Sequence, residues 1–125
     1  MLKILLIGFG GGFGSIGRYY TALFINRFFP TQFPVGTATV NIFGCFLIGI
    51  LASLFTGPAA LRDEYRLLFI VGFLGGYTTF STYGWESVAL VLNQQYASAF
   101  LYIVANNGLG LAAVFLGMKV AERIA

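Results

Sequence analysis

The sequence predicts an all-α membrane protein, a single four-helix transmembrane domain over residues 1–125 whose third helix is broken. Three observations carry this. Hydrophobic residues make up 58% of the chain and charged residues only 9%, against about 25% charged in a typical soluble domain, and the mean hydropathy is +0.87. Four apolar stretches, at about 4–26, 34–57, 66–93 and 97–118, each supply the roughly 20 residues a bilayer-crossing helix needs. Finally, the third stretch is interrupted near residues 75–79, where Gly75-Gly76 are followed by Tyr77, Thr78, Thr79, Ser81, Thr82 and Tyr83, six hydroxyls in seven residues. The segments between the stretches are too short to hold a soluble domain.

The first stretch opens as MLKILLIGF, which has the basic start and apolar run of a secretory signal. GGGFG follows at once without a small-x-small cleavage site, so the segment reads as a retained helix. Gly12-Phe13-Gly14-Ser15-Ile16-Gly17 satisfies G-x-G-x-x-G, but a dinucleotide site needs a βαβ unit and an acidic residue about 20 positions on, and neither exists here. The glycines read instead as small-xxx-small pairs, Gly8 with Gly12 and Gly10 with Gly14, which let membrane helices approach closely. A partner chain is expected, because four thin helices leave packing surface uncovered. Arg18 lies about two thirds along this helix, where it either snorkels to the interface or faces a watery cavity.

Pro34 suits the first turn of the second helix. Asn41 follows about two turns later, and a lone amide at that depth either bonds a neighbouring helix or serves an ion path. Cys45 is the only cysteine and reads as a small packing residue. In the fourth helix, Tyr102 and Asn106 are four apart and share a face.

The third helix carries the most information. Two glycines inside a helix cost roughly 1 kcal/mol each relative to alanine, and a broken membrane helix frees backbone groups that protein, water or an ion must satisfy. The carbonyl end of the first half suits a cation. The residues after the break supply what an anion wants: Thr79, Thr82, Tyr83 and Glu86 fall on one side of a 3.6-residue helix, and Phe80 and Tyr83 can present the positive edges of their rings. Together they describe an anion pathway without a full positive charge at its centre, which suits passage, since a conducted ion must leave as readily as it enters.

Other classes are excluded on composition. With no histidine in the chain, His-based catalysis and His metal sites are ruled out, and no nucleophile, base and orienting residue can be assembled, so the protein is not read as an enzyme. A net charge of +3 is too small and dispersed to argue for nucleic acid.

On these residues the chain resembles the Fluc (CrcB) family of bacterial fluoride channels over essentially its whole length. The likeness rests on Gly14–Arg18 as G-x-x-x-R and on GTATVNIFGCFLIG at Gly36–Gly49, which contains Asn41. Above all it rests on GFLGGYTTFSTYGWE at Gly72–Glu86, which resembles the family's G-F-x-G-G-x-T-T-F-S-T-F-x-x-E. The resemblance implies a fluoride-specific channel of the bacterial inner membrane, passively exporting fluoride and so lowering its toxicity. It further implies an antiparallel, dual-topology dimer with two pores and a central structural sodium ion. Position by position it makes Asn41 the pore amide, Phe80 and Tyr83 the fluoride-contacting rings, and Ser81 and Thr82 a hydroxyl track. Gly75 and Thr78 would hold sodium through backbone carbonyls, Thr39, Glu86 and Tyr102 would form a polar group near one pore end, and Arg18 and Asn106 are candidates for a vestibule.

Tyr83 departs from the family, which usually has phenylalanine there. Its hydroxyl either faces away from the ion path or joins the hydroxyl track. The competing classes are a proton-coupled small multidrug-type transporter, which needs a carboxylate in the first helix, and a non-conducting assembly subunit, which leaves the polar stripe unmotivated. Lys3, Arg62, Arg66, Lys119 and Arg123 fall on one side of the membrane, with Arg18 and Arg27 toward the other. This bias favours cytoplasmic termini. It leaves two partners open, a second antiparallel copy of the same chain, which is favoured, or an oppositely oriented paralogue.

Overall fold

A computed structural model describes residues 1–56 and 62–125, and every regular element among them is helical. Helix α1 runs Leu2–Phe28 and stops where Pro30 biases the preceding residue out of the helical region. Helix α2 is Val35–Thr56; the expected end at residue 57 lies outside the described residues. Its first turn is capped from α1, where Asn26 Oδ1 accepts from the Gly36 N–H at 3.0 Å, satisfying one of the donors a helix start leaves free.

The third apolar stretch forms two rods. Helix α3 (63–77) begins as an α-helical turn, Asp63–Arg66, continues as a π-helix over Leu67–Leu74, and closes with Gly75–Tyr77. Helix α4 is Phe80–Leu92. Gly75 and Gly76 lie in the last helical turn, and the chain leaves the helix at Thr78 (φ −83°, ψ 155°) and Thr79 (φ −146°, ψ 114°). Both have extended backbone, which β-branched threonine favours. After α4, Gln94 takes a positive φ of 60°, turning the chain into α5 (Tyr96–Ile124), which contains a second π-helical segment at Ala105–Leu109. Helices α2 and α5 are each long and apolar enough to cross a membrane.

Two glycine seams hold the bundle together. Along α1 and α3, a Cβ at Gly10 would strike the Leu68 carbonyl, one at Gly14 the Phe73 carbonyl, and one at Gly76 the Gly11 carbonyl. Along α2 and α5, Gly49 meets the Val114 carbonyl and Gly117 meets the Phe46 carbonyl in the same way. Backbone therefore packs directly on backbone, as small residues allow in membranes. Only one of the two glycine pairs anticipated in α1 serves this contact: Gly8 and Gly12 have nothing within 4 Å and face outward. One compact side-chain cluster is built from Ala38, Leu90, Ala99 and Tyr102 with Phe33 and Tyr83 against it, and Val40, Phe55, Leu74, Tyr77 and Ala121 are buried elsewhere in the bundle. Large apolar side chains such as Phe9, Phe13 and Trp85 are exposed, as expected where the surroundings are lipid or another chain.

Candidate functional site

The break between α3 and α4 is held by a side chain from another helix. Asn41 on α2 accepts from the Thr79 N–H at 2.9 Å through Oδ1 and donates from Nδ2 to the Thr79 carbonyl at 3.1 Å. The orientation of the amide follows, because a backbone N–H must meet the oxygen. The second Nδ2 hydrogen goes to Asn106 Oδ1 on α5 at 3.2 Å, and Asn106 in turn donates to the Tyr102 carbonyl at 3.0 Å. Thr79 also caps α4, its hydroxyl accepting from the Thr82 N–H at 3.2 Å. On the α3 side, both the N–H and the hydroxyl of Thr78 donate to the Leu74 carbonyl, at 3.0 and 2.8 Å. No backbone N–H among the described residues donates to the carbonyl of Gly75 or of Thr78, and Gly75 is exposed.

Two cavities flank this break. The first, about 370 Å³, is lined by Asn41, Thr78, Thr79, Phe80, Tyr83 and Asn106 among others, with no charged residue on its wall. Phe80 and Tyr83 stand there with ring centroids 5.4 Å apart, tilted by 54°. The row of rings continues inward from Tyr83 to Tyr102 at 5.5 Å and from Tyr102 to Phe33 at 5.6 Å. The second cavity, about 400 Å³, lies between α1, α2 and α4 and is lined by Ser15, Arg18, Asn26, Thr37, Thr79 and Thr82 among others. Thr79 belongs to both walls.

The candidate residues thus separate into groups. Asn41, Phe80, Tyr83 and Asn106 share the uncharged cavity with Gly75 and Thr78. Thr82 shares the other with Arg18, which faces a cavity rather than lying only against the outer surface. Asn106 sits beside Asn41, not beside Arg18. Ser81 is exposed, and its hydroxyl lies 3.5 Å from that of Thr79.

Glu86 and Tyr102 meet directly: the Tyr102 hydroxyl donates to Glu86 Oε2 at 2.5 Å, and the other carboxylate oxygen accepts from the hydroxyl of Thr37 at 2.9 Å. Both oxygens are therefore paired, which offsets the cost of drawing a carboxylate into a low-dielectric bundle. The sequence reading placed Thr39 in this group. The residue that reaches Glu86 is Thr37, because positions two apart point to opposite sides of a helix while Thr37, four residues before Asn41, shares the Asn41 face. That spacing was the signal available for Thr37.

Asn107 gave no such signal. Its Nδ2 donates to the Tyr83 hydroxyl oxygen at 2.9 Å and to the Ile103 carbonyl at 2.8 Å. Among the described residues no three His, Cys, Asp or Glu side chains cluster.

The chain is similar to proteins already known. The family model described as CrcB-like protein, Camphor Resistance (CrcB), matches residues 5–118. A Rhizobium johnstonii protein named fluoride-specific ion channel FluC is 40% identical over 125 residues, the whole of both chains. Proteins of the same name from Hydrogenobaculum sp. and Phocaeicola vulgatus are 45% identical over 116 residues and 43% over 122. These matches cover 93% and 98% of this chain, and 94% and 100% of theirs.

Proposed function

This chain belongs to the CrcB-like family, and from that premise we propose that it is a fluoride-specific ion channel, a passive route by which fluoride leaves a bacterial cytoplasm. The observation that carries the reading is the uncharged cavity at the helix break, where the Asn41 amide, the Thr79 backbone and the Phe80–Tyr83 ring pair converge. Ring edges and hydroxyls offer partial positive charge to a small anion, and a wall with no full charge leaves it free to depart. On this reading Thr82, and Ser81 on the outer side of α4, continue the path as hydroxyls, and the Thr37–Glu86–Tyr102 group stands near one end of it.

The working unit is proposed to be two antiparallel copies in the inner membrane with one pore along each. Phe80 is 81% exposed and Trp85 74%, and the Gly75 and Thr78 carbonyls want partners; an exposed backbone carbonyl in lipid is costly. A two-fold axis passing the break would bring the same two carbonyls from each copy together. These neutral oxygens fit a monovalent hard cation, so Gly75 and Thr78 are the residues that would hold a structural sodium ion, whose charge would tie the two chains at their breaks.

The test is fluoride efflux from liposomes that contain only the purified protein, with chloride as the control. Rapid fluoride loss without chloride loss supports the channel; no efflux, or equal chloride efflux, overturns it.

A further inference from the structure

The hydroxyl of Tyr83 is an addition that ring-edge chemistry does not require. Asn107 holds it, and the hydrogen bookkeeping around that contact can be completed from geometry. Asn107 Nδ2 lies 2.8 Å from the Ile103 carbonyl, an atom that only accepts, so this corner of the amide must be the nitrogen. Its two hydrogens are then both assigned, one to Ile103 and one to the Tyr83 oxygen at 2.9 Å. Tyr83 is therefore the acceptor in that bond, and its own hydrogen is left over. No acceptor for the Tyr83 hydroxyl is present among the described residues.

The other polar side chains of the cavity are more fully engaged. Both Nδ2 hydrogens of Asn41 are committed, to Thr79 and to Asn106, and the Thr78 hydroxyl is committed to Leu74. Asn106 spends one hydrogen on Tyr102 and retains one. The Tyr83 ring lies 5.4 Å from that of Phe80, and both residues line the cavity.

We propose that Tyr83 offers this O–H as a hydrogen-bond donor to an anion in the 370 Å³ cavity, with Asn107 as the positioning residue that turns the hydroxyl's lone pair toward itself and its hydrogen toward the cavity. The inference rests on the channel reading above and adds a second kind of contact to it: an O–H donor beside a ring edge. Such a donor favours the small, strongly accepting fluoride over larger anions. Asn107 lies in the π-helical segment of α5 together with Asn106, so one short segment serves both the Asn41 amide and the Tyr83 hydroxyl, in keeping with the tendency of π-turns to occur at functional sites.

The experiment is initial fluoride efflux from liposomes as a function of fluoride concentration, with chloride as the control, for the full-length wild type, Tyr83→Phe, Asn107→Leu and the double variant. Each variant is first matched to wild type by size-exclusion elution, and Asn107→Ala stands in if Asn107→Leu does not elute as wild type does. Tyr83→Phe is expected to conduct still, with a half-saturating fluoride concentration raised about ten- to a hundredfold, the range one net hydrogen bond to a charged group represents. Asn107→Leu should raise it by the same factor, and the double variant should go no further than Tyr83→Phe alone. A Tyr83→Phe or Asn107→Leu channel with wild-type half-saturation overturns the inference while leaving the channel reading intact. So does a double variant in which the two effects multiply, since Asn107 then acts elsewhere. A wild type that passes no fluoride overturns both.

Discussion

Asn41 and Thr79 are joined by two opposed hydrogen bonds, the asparagine amide closing a ring on the threonine backbone at 2.9 and 3.1 Å. The amide does for the broken helix what the next helical turn would otherwise do, supplying an acceptor for the Thr79 N–H and a donor for its carbonyl. Because both amide hydrogens are committed, an anion that contacts Asn41 must exchange for Thr79 or Asn106 rather than dock on an idle group.

Replacement of Asn41 by aspartate is expected to stop conduction and to loosen the fold. The new carboxylate keeps the bond from the Thr79 N–H but turns an acceptor toward the Thr79 carbonyl and toward Asn106 Oδ1. Each unsatisfied group costs about 1–3 kcal/mol, and the added charge repels fluoride. Fluoride efflux together with a thermal melt in detergent checks this. A variant with wild-type flux and an unchanged melting temperature would show that Asn41 serves neither the path nor the break.

Phe80→Ile should abolish fluoride flux while the assembled protein elutes as wild type does. Isoleucine conserves apolar bulk but has no electropositive edge, and Phe80 is 81% exposed in the single chain, so the bundle does not depend on it. Measurable conduction within about tenfold of wild type, a difference of about 1.4 kcal/mol, would reduce Phe80 to a packing residue.

Sodium is expected to act as a fixed part of the assembly. Replacing it on both sides by a large organic cation should lower flux, because on the proposed reading the Gly75 and Thr78 carbonyls hold it. Reversing a sodium gradient should leave the direction of fluoride movement unchanged. Fluoride that follows the sodium gradient would mark a coupled transporter instead.

Alanine at Gly14 and at Gly12 should behave oppositely. At Gly14 the new Cβ meets the Phe73 carbonyl, which is backbone and cannot swing aside, whereas at Gly12 it meets open space. Overpacking of this kind costs about 1–3 kcal/mol, while the exposed substitution gains up to about 1 kcal/mol of helix propensity. Thermal denaturation of the two variants in detergent should place Gly14→Ala below wild type and Gly12→Ala at or above it; equal melting temperatures would contradict the α1–α3 seam.

The amino-acid sequence alone determined that this is a chain of apolar helices with a break in the third. Transfer of a segment into lipid depends on its own composition and length, and Gly75-Gly76 followed by hydroxyls weakens a helix wherever it sits. The same local information marked Asn41, Phe80 and Tyr83 as candidates for an ion path. Tertiary structure alone decided which groups meet. The glycine pair that packs in α1 is Gly10 and Gly14, not Gly8 and Gly12, because α3 lies against that face. The threonine that bonds Glu86 is Thr37, not Thr39, because of how α2 is rotated toward α4. The hydroxyl of Tyr83 is held by Asn107, a residue with no mark in the sequence, because α5 brings a π-helical segment beside α4. Local composition sets where a chain becomes helical and where it cannot stay so; the rotation and register of one helix against another come from contacts distant in sequence, and these decide which side chains become hydrogen-bond partners.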